Sequence, residues 1–162
     1  MNQDYIVPSG TSIGHVHLKV ADLQRSLRFY CNVLGFELIT TYGADAAFIS
    51  AGGYHHHIGL NTWYSKGAPP APQRSAGLFH VAILYPTRRD LAVAVHRLLE
   101  QEHPLTGASD HGVSEAIYLN DPDGNGLELY WDRPRHEWPQ KPDGGIDMYT
   151  HALDLEGLLA SV

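Results

Sequence analysis

Apolar residues in this chain come in short runs punctuated by turn-formers, and twice the spacing changes from every second residue to every third or fourth. Residues 12–20 alternate polar and apolar positions and predict a strand. Asp22 then offers an N-cap, and Leu23, Leu27, Tyr30 and Leu34 form an apolar face at helical spacing, with Gly35 where the helix should end. Residues 36–42, 46–51 and 54–62 predict three strands, broken at Gly43 and at Gly52-Gly53. Residues 66–75 carry Pro69, Pro70 and Pro72 and predict an extended linker. The order then restarts: a strand over 77–84, a helix to about residue 102, a loop, and strands near 114–119 and 126–131. Asp121-Pro122-Asp123-Gly124-Asn125-Gly126 predicts a tight turn between the last two. After Trp131 the composition shifts to Pro134, Pro139, Pro142 and Gly144-Gly145, which predicts a segment wrapping the surface, followed by a short helix over 154–159.

The restart is an internal repeat. With His15 aligned to His80, Gly14-His15-Val16-His17-Leu18 lies over Phe79-His80-Val81-Ala82-Ile83, and a helical pattern follows both. At the far end, Ile58-Gly59-Leu60-Asn61-Thr62-Trp63 matches Leu127-Glu128-Leu129-Tyr130-Trp131. His15 to Gly59 spans 44 residues and His80 to Glu128 spans 48. Two copies are too few to cap a solenoid. The pattern instead predicts an α+β fold of two β-α-β-β-β modules that close on each other, at 12–63 and 77–131, joined by the linker 64–76 and followed by a tail over 132–162.

Composition fits one domain. The chain has 162 residues, 43% of them hydrophobic, enough to bury a core. No apolar run approaches the roughly 18 residues that span a membrane, and Met1-Asn2-Gln3-Asp4-Tyr5 lacks the basic start and apolar stretch expected of a signal peptide. A single cysteine, Cys31, excludes an internal disulfide framework and fits a reducing cytoplasm. A formal charge of −7 argues against a nucleic-acid partner, because phosphate binding needs a basic surface.

Chemistry enters through three ionisable residues inside apolar, strand-like runs: His15, His80 and Glu128. A buried polar group needs a partner, and a divalent metal would supply one. Two histidines and one carboxylate, with further coordination positions open, are the set that holds non-haem Fe(II) in oxygenases. His17 shares a face with His15, but its repeat partner is Ala82, so it reads as a supporting residue. His96, His103, His136 and His151 read as surface residues, Cys31 as a small core hydrophobe, and Trp63, Trp131 and Trp138 as packing.

Several stretches are similar to the vicinal oxygen chelate superfamily, which includes glyoxalase I, bleomycin-resistance proteins and extradiol ring-cleaving dioxygenases. They are Ile13-Gly14-His15-Val16-His17-Leu18-Lys19-Val20-Ala21-Asp22-Leu23, Ser26-Leu27-Arg28-Phe29-Tyr30, Val33-Leu34-Gly35-Phe36 and Asp121-Pro122-Asp123-Gly124-Asn125-Gly126-Leu127-Glu128. The resemblance implies an incomplete eight-stranded barrel with a metal in its mouth. The first and last strands of each module there offer one ligand apiece, which maps to His15, Gly59, His80 and Glu128. Glyoxalase I-like enzymes fill all four positions; Gly59 cannot ligate, and the remaining three-ligand set resembles the extradiol pattern.

The resemblance extends to other residues. Tyr54-His55-His56-His57-Ile58-Gly59 is similar to an extradiol motif whose acid/base histidine maps to His56. Strict strand alternation would place His55 and His57, not His56, on the face of Gly59, unless a bulge intervenes; His57 is therefore the second candidate. Tyr118 matches the tyrosine that hydrogen-bonds the substrate oxygen, and His111 a further active-site histidine. Residues 54–63, 107–131 and 153–159 resemble pieces of catechol 2,3-dioxygenases, which have two such barrels where this chain has one. The implied activity is extradiol cleavage of a catechol-like aromatic diol by dioxygen, with Fe(II) as cofactor or Mn(II) in its place, in a cytoplasmic homo-oligomer, most simply a dimer. The alternatives are a glyoxalase-like metal-dependent lyase or isomerase and a drug-binding resistance protein on the same fold.

Overall fold

The computed structural model describes residues 5–72 and 74–162; the first four residues, and Gln73 of the linker, lie outside it. Each module forms its own sheet, and the two sheets share one strand plan. The first has the order β1-β4-β3-β2, with β1 (Val16–Lys19) parallel to β4 (Ile58–Asn61) and β3 (Ala46–Ser50) antiparallel to both β4 and β2 (Glu37–Tyr42). The second has the order β5-β8-β7-β6-β9, with β5 (Val81–Leu84) parallel to β8 (Gly126–Asp132) and β7 (Ser114–Asn120) between β8 and β6 (Leu105–Asp110). The predicted repeat is thus a structural repeat, and the fold is mixed α+β.

Helices begin where the sequence carries caps. The Asp22 side chain accepts the Arg25 N–H and starts α1 (Leu23–Leu27). The Thr87 hydroxyl oxygen accepts the Asp90 N–H and starts α2 (Arg88–Glu100). The helix expected over 23–34 changes pitch: Arg28–Val33 forms a π-helical turn in which the Leu34 N–H donates to the Phe29 carbonyl. Gly35 then reverses the chain with φ +87. The short last helix, α3 (Leu155–Leu159), is capped by Asp154, which accepts the Gly157 N–H.

Two helical contacts lock the modules together. Near α1, Arg25 and the Ala21 N–H both donate to Asp123 Oδ1, at 2.6 and 2.8 Å, and the Tyr30 hydroxyl donates to Asp121 Oδ2 at 3.0 Å. These carboxylates sit in the turn entering β8, the strand that carries Glu128. From α2, Arg97 donates to the carbonyls of Asn32 and Val33 at 2.6 and 2.8 Å. Asp121 also receives the N–H groups of Asp123 and Asn125, so the acidic turn is fully supplied with donors. Burial beside Asp121 pushes the Tyr30 phenol well above its usual range.

The core is continuous across both modules, from Leu18, Ile49 and Leu60 through Leu91, Val95 and Leu98 to Ile117, Leu127 and Leu129, with Leu158 closing it. Cys31 packs against this core, as its sequence position suggested. Burial raises its thiol pKa. Among the described residues, no helix is long and apolar enough to cross a membrane.

The differences from sequence expectation concentrate at strand ends. The strand expected over 12–20 is only Val16–Lys19, and the one expected over 77–84 is Val81–Leu84. His15 and His80 therefore precede their strands, and His15 is exposed where burial was expected. The strand expected over 54–62 starts at Ile58, which leaves the histidine triplet in a bent segment. The loop expected after α2 contains β6, which has one large apolar side chain, Leu105. It exists because β7 and β9 (His151–Ala152) satisfy its backbone on either side. The tail thus joins a sheet as well as covering the surface. His96 and His103 are half-buried, with Nε2 against the Leu159 and Asn120 carbonyls at 3.1 and 2.8 Å.

Candidate functional site

The second module brings four of the predicted residues together. His80 Nε2 lies 2.9 Å from Glu128 Oε2. Tyr118, opposite Glu128 in the β7–β8 ladder, places its hydroxyl 3.4 Å from Glu128 Oε1. His111, just beyond β6, sets Nε2 2.7 Å from the Tyr118 hydroxyl. The sequence places His80 against Glu128 through a close approach at Gly126: a Cβ there would run into the Phe79 carbonyl and the His80 side chain. Burial first, and then the Glu128 carboxylate, push the Tyr118 phenol up to about 12, so it keeps its proton at neutral pH.

The first module assembles a histidine cluster. The His15 and His56 rings are 4.3 Å apart between centroids, and His56 also packs on Phe48 at 5.0 Å. His55 Nδ1 lies 2.8 Å from His56 Nδ1. Bends before β4 break strict alternation, so His56 rather than His57 lies against His15. His57 turns to the end of β3 instead, where its Nδ1 accepts from the Ser50 hydroxyl at 2.9 Å and the Ala51 N–H at 3.3 Å. Burial and then the neighbouring His15 lower the pKa of His56.

The vacant side-chain position at Gly59 is not open space: the His17 ring lies over it, and a Cβ on Gly59 would come within 2.9 Å of that ring. The register explains this, because His17 is the residue paired with Gly59 across β1 and β4, with Phe48 on the other side. The His17 ring also packs 5.8 Å from Phe48 and 5.6 Å from Trp63. Burial, then the neighbouring His15, lower its pKa.

A cavity of about 920 Å³ lies between the edge strands, lined by His15 and His57 of the first module and His80 of the second, with Phe36, Val81 and Tyr130. Glu128, Tyr118 and His111 do not line it. Among the described residues, no three His, Cys, Asp or Glu side chains are gathered closely enough to hold an ion; His80 and Glu128 meet, and His15 stands apart from them. The pair itself suits a metal. Two donor atoms 2.9 Å apart match neighbouring ligands on one ion, each about 2.1 Å away. An imidazole with a carboxylate suits a divalent metal. His80 Nδ1 is buried without a partner among the described residues.

Three structural features of this region were not legible in the sequence. The His17 ring over Gly59 follows only from register. Phe48, which packs on His56, sits in a strand whose other residues are core. The Tyr149 carbonyl, which holds His111, belongs to a Pro- and Gly-rich tail with no chemical signature.

Comparison with known proteins agrees with this architecture. The profile of the Glyoxalase/Bleomycin resistance protein/Dioxygenase superfamily matches residues 12–129, and the chain belongs to that superfamily. It is 44% identical over 150 residues to a catechol-2,3-dioxygenase of Bacillus subtilis, a match covering 92% of this chain and 51% of that protein. The chain thus spans about half the length of this relative. It is 30% identical over 123 residues to a lactoylglutathione lyase of Salmonella typhimurium, covering 71% of this chain and 88% of the lyase. Among solved structures, a glyoxylase/bleomycin resistance protein/dioxygenase domain from Frankia sp. EAN1pec superposes with a TM-score of 0.66 at 24% identity, covering 78% of this chain and 95% of that one. That last likeness concerns the fold alone.

Proposed function

We propose that this protein is a metal-dependent dioxygenase of the extradiol type, which opens a catechol-like aromatic diol beside its two hydroxyls and incorporates both atoms of dioxygen. The observation that carries the reading is the His80–Glu128 pair, with Tyr118 and His111 beside it. The similarity to a catechol-2,3-dioxygenase supports it. His15, His80 and Glu128 are the residues that would hold the metal, Fe(II) in the first place and Mn(II) in the second. Bound there, it would lower the pKa of a diol hydroxyl and link diol and dioxygen electronically.

The chain's own residues do the rest. Tyr118, kept protonated, holds a diol oxygen at its hydroxyl. His56 is proposed as the acid/base, moving a proton at an imidazole nitrogen, because it packs on His15 while His57 is bound to Ser50. Phe48 packs on His56, and Trp63 on His17. His15 is separated from Glu128 within one chain, and Ile13, Leu78 and Phe79 beside the two histidines are exposed. Both features fit a homodimer that completes the site.

Anaerobic loading with Fe(II), followed by oxygen uptake with a panel of catechols, tests the reading. It predicts one dioxygen consumed per catechol and a yellow ring-opened product. Absence of uptake with every catechol would sink it. A second reading, a glyoxalase-like lyase, is favoured by the match to nearly the whole length of a lactoylglutathione lyase. Isomerisation of a hemithioacetal by the metal-loaded protein would establish that reading instead. The absent side chain at Gly59, covered by His17, argues against it.

A further inference from the structure

We infer that the tail segment 149–152 is a positioning element: the Tyr149 backbone carbonyl fixes the tautomer of His111, so that His111 accepts the hydrogen bond of the Tyr118 phenol, which keeps its proton and leaves its oxygen lone pairs as an acceptor toward a substrate hydroxyl. His111 Nδ1 lies 2.9 Å from the Tyr149 carbonyl oxygen. A carbonyl can only accept, so Nδ1 carries the hydrogen. In a neutral imidazole Nε2 then holds a lone pair. The atom 2.7 Å from that lone pair is the Tyr118 hydroxyl, which must donate.

A phenol has one proton. With it committed to His111, the 3.4 Å approach of Tyr118 to Glu128 Oε1 is not a donation. That distance is also too long for a strong O–H bond. The Tyr118 oxygen keeps its lone pairs beside an acceptor-only carboxylate. What complements two acceptors is a donor, and a diol hydroxyl is one. The relay therefore selects for a hydroxylated substrate, with its O–H directed to Tyr118.

The segment is built to hold this position. Strand β9 pairs with β6 through Ser109–Ala152 and Asp110–His151. The Tyr149 N–H returns a bond to the His111 carbonyl at 3.3 Å, so the two residues are linked both ways. The Tyr149 ring stacks on His151 at 4.2 Å and presses on buried Gly112, where a Cβ would come within 2.6 Å of the Tyr149 ring. From the other side, Asp110 accepts the Gly112 N–H at 2.8 Å and is paired with Arg133 at 2.9 Å. Arg133 in turn reaches buried Glu115, which Arg88 also holds. The His111 turn is thus clamped between an ion-pair network and the tail.

The tautomer assignment stands by itself; its role in turnover rests on the dioxygenase reading. The test therefore has two arms. The first is long-range proton–nitrogen NMR of the full chain at pH 8, with His111 assigned by its loss in His111→Gln. Wild type and Tyr149→Phe should both show the proton on Nδ1. Replacing Thr150 by its hydroxy-acid analogue makes the Tyr149 carbonyl an ester, a poorer acceptor, without adding bulk. In that variant, and in Gly112→Ala, which displaces the ring, the Nε2-protonated form should appear. The second arm is kcat/KM for the best catechol, which should fall about tenfold in the ester variant, the lower figure for losing a partner that orients a functional imidazole. A proton on Nε2 in the wild type overturns the proposal, as does an ester variant with unchanged tautomer. A shifted tautomer with unchanged kcat/KM overturns the positioning role. If the wild type turns over no catechol, the dioxygenase reading fails and the NMR arm alone decides the tautomer lock.

Discussion

The two modules share a strand plan but exchange side-chain volume at equivalent places. In the first, the register pair across the parallel strands is His17 with Gly59; in the second it is Ala82 with Glu128. Large faces small in both, with the sides reversed. Each module therefore keeps its sheet face filled while offering a different group: an imidazole over a glycine, or, beside an alanine, a carboxylate that reaches His80. A repeat can thus lose a functional side chain at one position without leaving a void, because its ladder partner grows into the space. The first module is left with a histidine cluster around His15 and His56, and the second with the acidic pair His80–Glu128.

The largest effect should come from removing the second module's carboxylate. Glu128→Ala should abolish tight Fe(II) binding by calorimetry and lower oxygen uptake by about 10³-fold or more, beyond the 10–100-fold cost of losing an outer-sphere partner. Retention of wild-type affinity would mean that the pair is only structural. Next in size is His56→Phe. It should lower turnover by about 10²-fold, within the range for a positioned acid/base, and leave metal affinity intact. His57→Phe should change the rate much less, since His57 already serves Ser50. The reverse ranking would transfer the acid/base role to His57.

A swap between modules sharpens the comparison further. His17→Ala with Gly59→Glu copies the Ala82/Glu128 pair into the first module. The double variant should bind a divalent metal on the order of tenfold more tightly, as an added charged ligand does, and should lose oxygen uptake by filling a coordination position. Gly59→Glu alone should be less stable than the double variant, because its side chain meets the His17 ring. Equal stability of the two in urea would show that His17 does not guard that space.

How far the sequence carried depends on which kind of information a feature needs. The element order of the first module, the helix at 88–100 and the His15/His80 and Gly59/Glu128 equivalences follow from periodicity and repetition, and the structure keeps these. Strict alternation misplaces the histidine triplet because it assumes a strand, and the chain bends through residues 55–57 before β4 begins. Strand β6 was missed because Leu105-Thr106-Gly107-Ala108-Ser109-Asp110 carries almost no apolar signal; its neighbours β7 and β9 make it a strand. The Tyr149–His111 bond uses a backbone carbonyl, which every residue possesses. Contacts of that kind leave no mark in composition.

The smallest predicted effect separates the modules by pH. Asp22 caps α1 with a carboxylate, and Thr87 caps α2 with a hydroxyl. The Arg25 N–H bond to Asp22 lowers the carboxyl pKa below its usual value; burial opposes this, and nearby Gln24, Arg28 and Arg25 add to the lowering. A depressed folded value means the unfolded chain takes up the proton first as the solution is acidified. The cap therefore contributes fully above the unfolded value of about 3.9, and its contribution is lost as pH falls through the lower folded value. The Thr87 cap oxygen has no proton to gain in that range. Amide exchange should then show protection of the Arg25 N–H falling below about pH 4, relative to the Asp90 N–H in the same sample. Asp22→Asn keeps a good cap and should remove the difference in pH response. Parallel loss of protection at both amides in the wild type, or a difference that survives in Asp22→Asn, would assign the acid response to another group.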